Sequence, residues 1–163
     1  MAQQWRDLLF AHWQVPPERL RPLVPPSLPL DLLDGTAWLG IVPFRVTGAR
    51  ARFLPPVPFL SAFPELNVRT YVLVRGRPGV YFFSLDAGNG LAAWGGRTFY
   101  QLAYFHAEMS VRGGERVAYR SRRIADARAE FAATYQPAGR VVTPAWGTLD
   151  HWLTERYCLY TVG

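Results

Sequence analysis

Three ionisable residues of this 163-residue chain stand in apolar surroundings where charge is expensive: Arg6 before Leu8-Leu9-Phe10, Glu65 after Phe63-Pro64, and Arg97 between Gly95-Gly96 and Phe99-Tyr100. A charge buried there must find a partner. Two readings follow: each residue is half of an ion pair at a strand end, or the residues line a site. In a site, a glutamate with a raised pKa can act as general acid or base. Other chemistries lack their residues. His12, His106 and His151 lie far apart, and Cys158 has no CxxC partner or HExxH context, so neither a metal nor a disulfide is expected. No G-x-S-x-G elbow, P-loop or dinucleotide fingerprint occurs, so no cofactor is implied.

The elements that must position such residues read mostly as strands. Trp5 to Trp13 reads as one strand, and Pro16-Pro17-Glu18-Arg19-Leu20-Arg21 as a helical turn that stops before Pro25-Pro26. Leu28 to Leu33 and Thr36 to Val46 flank Asp34-Gly35, the signature of a hairpin closed by a type I′ turn. Residues 53–64, with Pro55, Pro56, Pro58 and Pro64, read as an ordered apolar loop that either lids a pocket or packs on the core. From Glu65 onward the pattern alternates, with Glu65, Asn67, Arg69 and Tyr71 on one face and Leu66, Val68, Thr70 and Val72 on the other. A turn at 75–79 leads to a return strand at 80–86, and a short helix is expected near Leu91–Gln101, weakened by Gly95-Gly96. A second hairpin turns at Gly113-Gly114-Glu115, and a strand follows near Ala129–Tyr135. Thr148 caps a helix reaching about Glu155, and Arg156–Val162 reads as the last strand.

Composition agrees with one β-rich domain: half the residues are hydrophobic, 15% are aromatic, and 14 are proline. The formal charge is +6, and every basic residue is arginine, because the chain contains no lysine. Arginine neither deprotonates in proteins nor forms a Schiff base under ordinary conditions, so the N-terminus is the only amine available as a nucleophile. The arginines are scattered, apart from Arg112, Arg116, Arg120, Arg122 and Arg123, which fall on the second hairpin. A solvated hairpin face is therefore expected rather than a specific nucleic-acid surface. No apolar run approaches the roughly 20 residues of a membrane span and no leader-like start is seen, so a cytoplasmic location is expected.

Four runs carry a family resemblance across nearly the whole chain: Trp5 to Trp13, Glu65 to Tyr71, Gly79 to Asp86 and Leu153 to Tyr160. They resemble the YqjF-like family of uncharacterised bacterial proteins, the DUF2071 domain, which is similar in fold to acetoacetate decarboxylase. The resemblance implies a mainly β (α+β) fold: antiparallel sheets curled into a cone or partial barrel around a pocket, with a few short helices. It also implies that Arg6 falls on the decarboxylase's pocket arginine and Glu65 on its active-site glutamate. Gly96-Arg97-Thr98 and Ala103-Tyr104-Phe105 fall on the motif that carries its two lysines, so Tyr104 stands at the Schiff-base position and Phe105 at the neighbouring lysine. A phenol cannot form an iminium, so decarboxylation by that mechanism is not expected.

The implied function is small-molecule binding or sensing, with a ligand-binding set of Arg6, Glu65, Arg69, Arg97, Tyr104 and Phe105. The ligand expected is a small organic molecule, a carbonyl or carboxylate compound. The alternative is a lysine-independent enzyme using Glu65 and Tyr104 as acid and base; a basic nucleic-acid module ranks third. The resemblance continues past Tyr160 with a turn, a return strand and further sheet that these residues do not contain. That implies a C-terminally shortened domain covering its last edge by homodimerising or by a docked loop, unless the 163 residues already close the sheet.

Overall fold

The computed structural model describes residues 2–50 and 61–162. Among the described residues nine strands form one sheet: β1 (Ala2–Arg6), β2 (Ala11–Val15), β3 (Ala37–Arg50), β4 (Phe63–Val74), β5 (Arg77–Ala87), β6 (Tyr104–Arg112), β7 (Val117–Arg123), β8 (Glu130–Tyr135) and β9 (Cys158–Tyr160). The sheet curls into a half-barrel accompanied by a few short helices: α1 (Pro17–Leu20), α2 (Gly90–Tyr100) and α3 (Leu149–Thr154). The strand order is β1-β3-β4-β5-β6-β7-β8, with β2 also on β3 and β9 also on β5. β4 therefore lies inside the sheet, paired along its length with β3 and β5.

The strand expected from Trp5 to Trp13 is broken in two. Asp7 takes a left-handed φ of 52°, and its carboxylate is held by Arg45. Such a conformation is uncommon outside glycine, and aspartate tolerates it better than most residues. Both halves still run along β3. The Asp34-Gly35 turn forms with φ of 50° and 77°, as a type I′ turn requires, and Leu33 bridges Thr36. The arm before it pairs elsewhere: Leu30 bridges Val72, and the Asp31 amide donates to the Tyr71 carbonyl at 2.9 Å. The expected hairpin thus keeps its turn but gives its first arm to β4. Within the loop expected at 53–64, residues 53–60 lie outside the described residues, and Phe63 already begins β4.

Two pairings are parallel, β5 with β6 and β5 with β9, in a sheet otherwise antiparallel. The first follows from connectivity, because α2 carries the chain back to the start of β5's neighbour. Asn89 caps α2 by accepting from the Leu91 and Ala92 amides at 3.0 and 3.1 Å. Its Gly95-Gly96 pair, costly in a helix, has a packing reason at one position: a Cβ on Gly96 would lie 2.3 Å from Tyr104 Cδ2. The helix can only lie this close to β6 with no side chain there.

This contact yields a paired prediction. Gly96→Ala should destabilise the protein by about 1–3 kcal/mol through overpacking against the Tyr104 ring. Gly95→Ala meets nothing within 4 Å and should be neutral or stabilising by up to about 1 kcal/mol, as helix propensity dictates. Urea denaturation of both variants checks the contrast, and equal effects would refute it.

Candidate functional site

The odd residues of β4 form a buried polar row. Glu65 pairs with Phe44 of β3 and Ala87 of β5, Asn67 with Val42 and Leu85, and Arg69 with Gly40 and Phe82. Glu65, Asn67 and Arg69 are each 4–6% exposed, and Tyr71 is fully buried. Leu85 pairs in turn with Tyr104, the first residue of β6. This register carries Tyr104 to the Glu65 face, where its hydroxyl donates to Glu65 Oε2 at 3.2 Å. The Asn67 side chain also hydrogen-bonds the Glu65 carboxylate. Below it, the Tyr119 hydroxyl donates to the Glu65 backbone carbonyl at 2.8 Å and fixes the strand.

Glu65 forms no ion pair among the described residues. Burial therefore dominates and raises its pKa from an ordinary 4.5 to about 7, only partly offset by the hydrogen bonds from Tyr104 and Asn67. A carboxyl balanced near neutrality can give or take a proton at working pH. The adjacent phenol supplies a fixed donor on the half-buried side of the site.

Arg69 occupies the far end of the row. Its guanidinium lies 5.1 Å from the Phe10 ring centre and 5.7 Å from that of Tyr71. It donates only long bonds, 3.4 Å to the Leu153 carbonyl and 3.5 Å to the Tyr71 hydroxyl. Tyr71 spends its one proton on Leu153 O at 3.0 Å, so His12 Nε2, 2.6 Å away, carries hydrogen and donates to the phenol oxygen. Burial first, and then the Arg69 charge, lower the His12 pKa to about 4, so the imidazole is neutral near pH 7.

Three residues of the expected ligand-binding set lie elsewhere. Arg6 is exposed and faces the reverse side with Arg45, because strand alternation gives the Glu65 face to Trp5, whose ring packs 4.8 Å from that of Phe44. Arg97 is exposed, since a helical step of about 100° from Gly96 turns it away from Tyr104. Phe105, next to Tyr104 on β6, faces the opposite side, paired with Asp86 beneath the Arg123 guanidinium at 3.7 Å. Glu65, Arg69 and Tyr104 remain together on one face. Asn67 and Tyr71 join them, as the β4 alternation indicated, and so does His12, whose place in the register shows only in the fold. Arg112, Arg116, Arg120 and Arg122 are exposed along β6 and β7 and the turn between them, while Arg123 pairs with Asp86 at 2.7 Å. Among the described residues no His, Cys, Asp or Glu cluster could hold a metal, and no helix is long and apolar enough to cross a membrane.

The Glu65 pKa makes stability depend on pH with a definite sign. The folded carboxyl keeps its proton up to about pH 7 while the unfolded one loses it near 4.5, so this group's contribution falls as pH rises through that window. At about 1.4 kcal/mol per pKa unit the loss reaches about 3 kcal/mol. His12, with a lowered folded pKa of about 4 against an ordinary 6.5, acts in the opposite direction. Glu65→Gln removes only the first slope. Its stability relative to wild type in urea should rise by about 3 kcal/mol between about pH 5 and about pH 8; a difference independent of pH would show that the carboxyl ionises normally.

Comparison with known proteins places this geometry in a family. The profile of DUF2071, described as an uncharacterised conserved protein, matches residues 2–163. The uncharacterised protein YqjF of Bacillus subtilis (strain 168) is 52% identical over 162 residues, covering 99% of this chain and 67% of the relative. Acetoacetate decarboxylase from Legionella pneumophila superposes with a TM-score of 0.54 at 14% identity, over 74% of this chain and 45% of its own. An acetoacetate decarboxylase-like enzyme from Sphingomonas wittichii RW1 gives 0.55 at 16% identity, over 75% and 52%. The enduracididine biosynthesis enzyme MppR complexed with pyruvate gives 0.57 at 14%, over 85% and 63%. This chain thus spans roughly half of the decarboxylase-like structures it matches, and at these identities the likeness shows the fold alone. The chain belongs to the DUF2071 family and has the fold of the acetoacetate decarboxylase-like proteins.

Proposed function

We propose that the protein binds a small organic molecule bearing a carbonyl or carboxylate, whose polar end is fixed by Glu65 and Tyr104. One observation carries this reading: a buried carboxyl without a cation among the described residues, held by a phenol and an amide. A carboxyl placed only for stability would be expected to have a charge partner, as Asp86 and Asp31 do. MppR, one of the similar solved structures, was captured with pyruvate, a small oxo acid, which favours the same ligand class. The Schiff-base route has no side-chain amine to use, because none of the 163 residues is lysine.

The Glu65 pKa of about 7 favours one further reading, acid-base chemistry on the bound carbonyl compound without a covalent intermediate. In that reaction Glu65 takes a proton from the carbon next to the carbonyl while the Tyr104 hydroxyl hydrogen-bonds the oxygen that gains charge. Solvent deuterium entering that carbon, and failing to enter in Glu65→Gln, would select this reading. No entry with wild type leaves binding alone.

Intrinsic fluorescence titrated with 2-pentanone and methyl 4-oxopentanoate tests the binding reading. Saturable binding is expected, weakened about fivefold to tenfold in Tyr104→Phe by loss of one hydrogen bond. Absence of saturation, or affinity unchanged in Tyr104→Phe, would overturn it. Acetoacetate with borohydride should leave no adduct on any internal residue, as mass spectrometry can establish, and an internal adduct would contradict the chemistry proposed.

A further inference from the structure

Arg69 differs from the other deeply placed arginines. Arg123 and Arg156 each lie against a carboxylate, Asp86 at 2.7 Å and Asp31 at 2.5 Å. Arg69, 6% exposed, has no carboxylate partner among the described residues. Its Nε hydrogen finds no acceptor, and its two hydrogen bonds of 3.4 and 3.5 Å are long beside a usual ~2.9 Å. Stacking on Phe10 and Tyr71 contributes about 0.5–2 kcal/mol per contact, less than the several kcal/mol lost when a guanidinium leaves water.

The described neighbours of Arg69 supply no counter-charge. Gly40 sits opposite Arg69, where a Cβ would stand 3.3 Å from both Arg69 Cγ and the His12 ring. His12 is half-exposed, and its neutral ring adds no competing charge. Between Arg69 and Glu65 on the same face, Asn67 Oδ1 is buried without a donor. One row therefore presents a guanidinium with an unsatisfied Nε–H and no carboxylate partner among the described residues, an orphaned acceptor, and then a carboxyl with a phenol. A guanidinium fork matches a carboxylate in shape and charge. An orphaned amide oxygen can accept a hydrogen bond from a hydroxyl.

We propose that Arg69 is a carboxylate subsite, and that the ligand is an oxo or hydroxy acid of several carbons lying along β4 with its acid group on Arg69 and its far oxygen at Glu65 and Tyr104. This rests on the binding reading above and specifies its ligand. Four strand residues at about 3.3 Å each separate the two ends by about 13 Å between Cα atoms, so a chain of only two or three carbons would not engage both.

Titrations of 4-oxopentanoate and of its methyl ester separate the two proposals. Wild type should bind the acid at least about tenfold more tightly than the ester, at low salt. In Arg69→Met the preference should vanish, and in Arg69→Lys, which keeps the charge but not the fork, it should shrink to about threefold or less. Equal affinities for acid and ester in wild type, a result that needs no variant to fold, would overturn the Arg69 subsite and leave the binding reading standing. A preference that persists in Arg69→Met or Arg69→Lys would do the same. Binding of neither compound would overturn both.

Discussion

A carboxyl and a guanidinium are buried on the same face of one strand, too far apart to neutralise each other, and the neighbours of β4 on that face must accommodate both. Each group is expensive to take out of water. Among the described residues neither is given an ionic partner; each receives neutral hydrogen-bonding groups and aromatic neighbours instead. The rest of the fold does not share this habit. Arg156 closes on Asp31, Arg45 on Asp7 and Arg123 on Asp86, so the chain has carboxylates available and uses them elsewhere.

Holding the two ends of the row falls to different parts of the molecule. The Glu65 end depends on α2, whose Gly96 lets the helix touch the Tyr104 ring, and on the short parallel seam that delivers Tyr104 beside Leu85. The Arg69 end depends on β2, which brings His12, and on α3, whose Leu153 carbonyl receives the Tyr71 proton. β6 also serves two partners, since Tyr104–His106 lie against β5 and Ala107–Arg112 against β7. The position of Tyr104 is thus tied both to the main sheet and to the β6-β7-β8 meander.

Local signals in the sequence were enough for much of this. The alternation from Glu65 to Tyr71 identified the face, Asp34-Gly35 identified a turn, and Thr148 identified the start of a helix. What stayed hidden depends on register and on distant pairing. Arg6 and Phe105 sit one residue from positions that do face the site, and a single step along a strand reverses the side. Arg97 fails for the helical version of the same reason. The parallel pairings, and the transfer of residues 29–31 from β3 to β4, join segments whose affinity for each other has no local signature. The unpaired state of Arg69 was equally illegible, because it is a property of all its neighbours together.

The long reach of the pairing between β5 and β9 bears on how the protein comes into being on the ribosome. Gly79 meets Cys158, and the Tyr71 hydroxyl meets the Leu153 carbonyl, across about half of the chain. Glu65 and Tyr104, by contrast, can meet once the segment through β6 has been synthesised. During translation, then, the carboxyl end of the row assembles first, while Arg69 waits with Tyr71 for residues that emerge tens of positions later. Contacts this distant in sequence are slow to close. Over that interval the nascent sheet carries an incompletely walled cation beside exposed aromatic surface, the kind of transient species on which chaperones act.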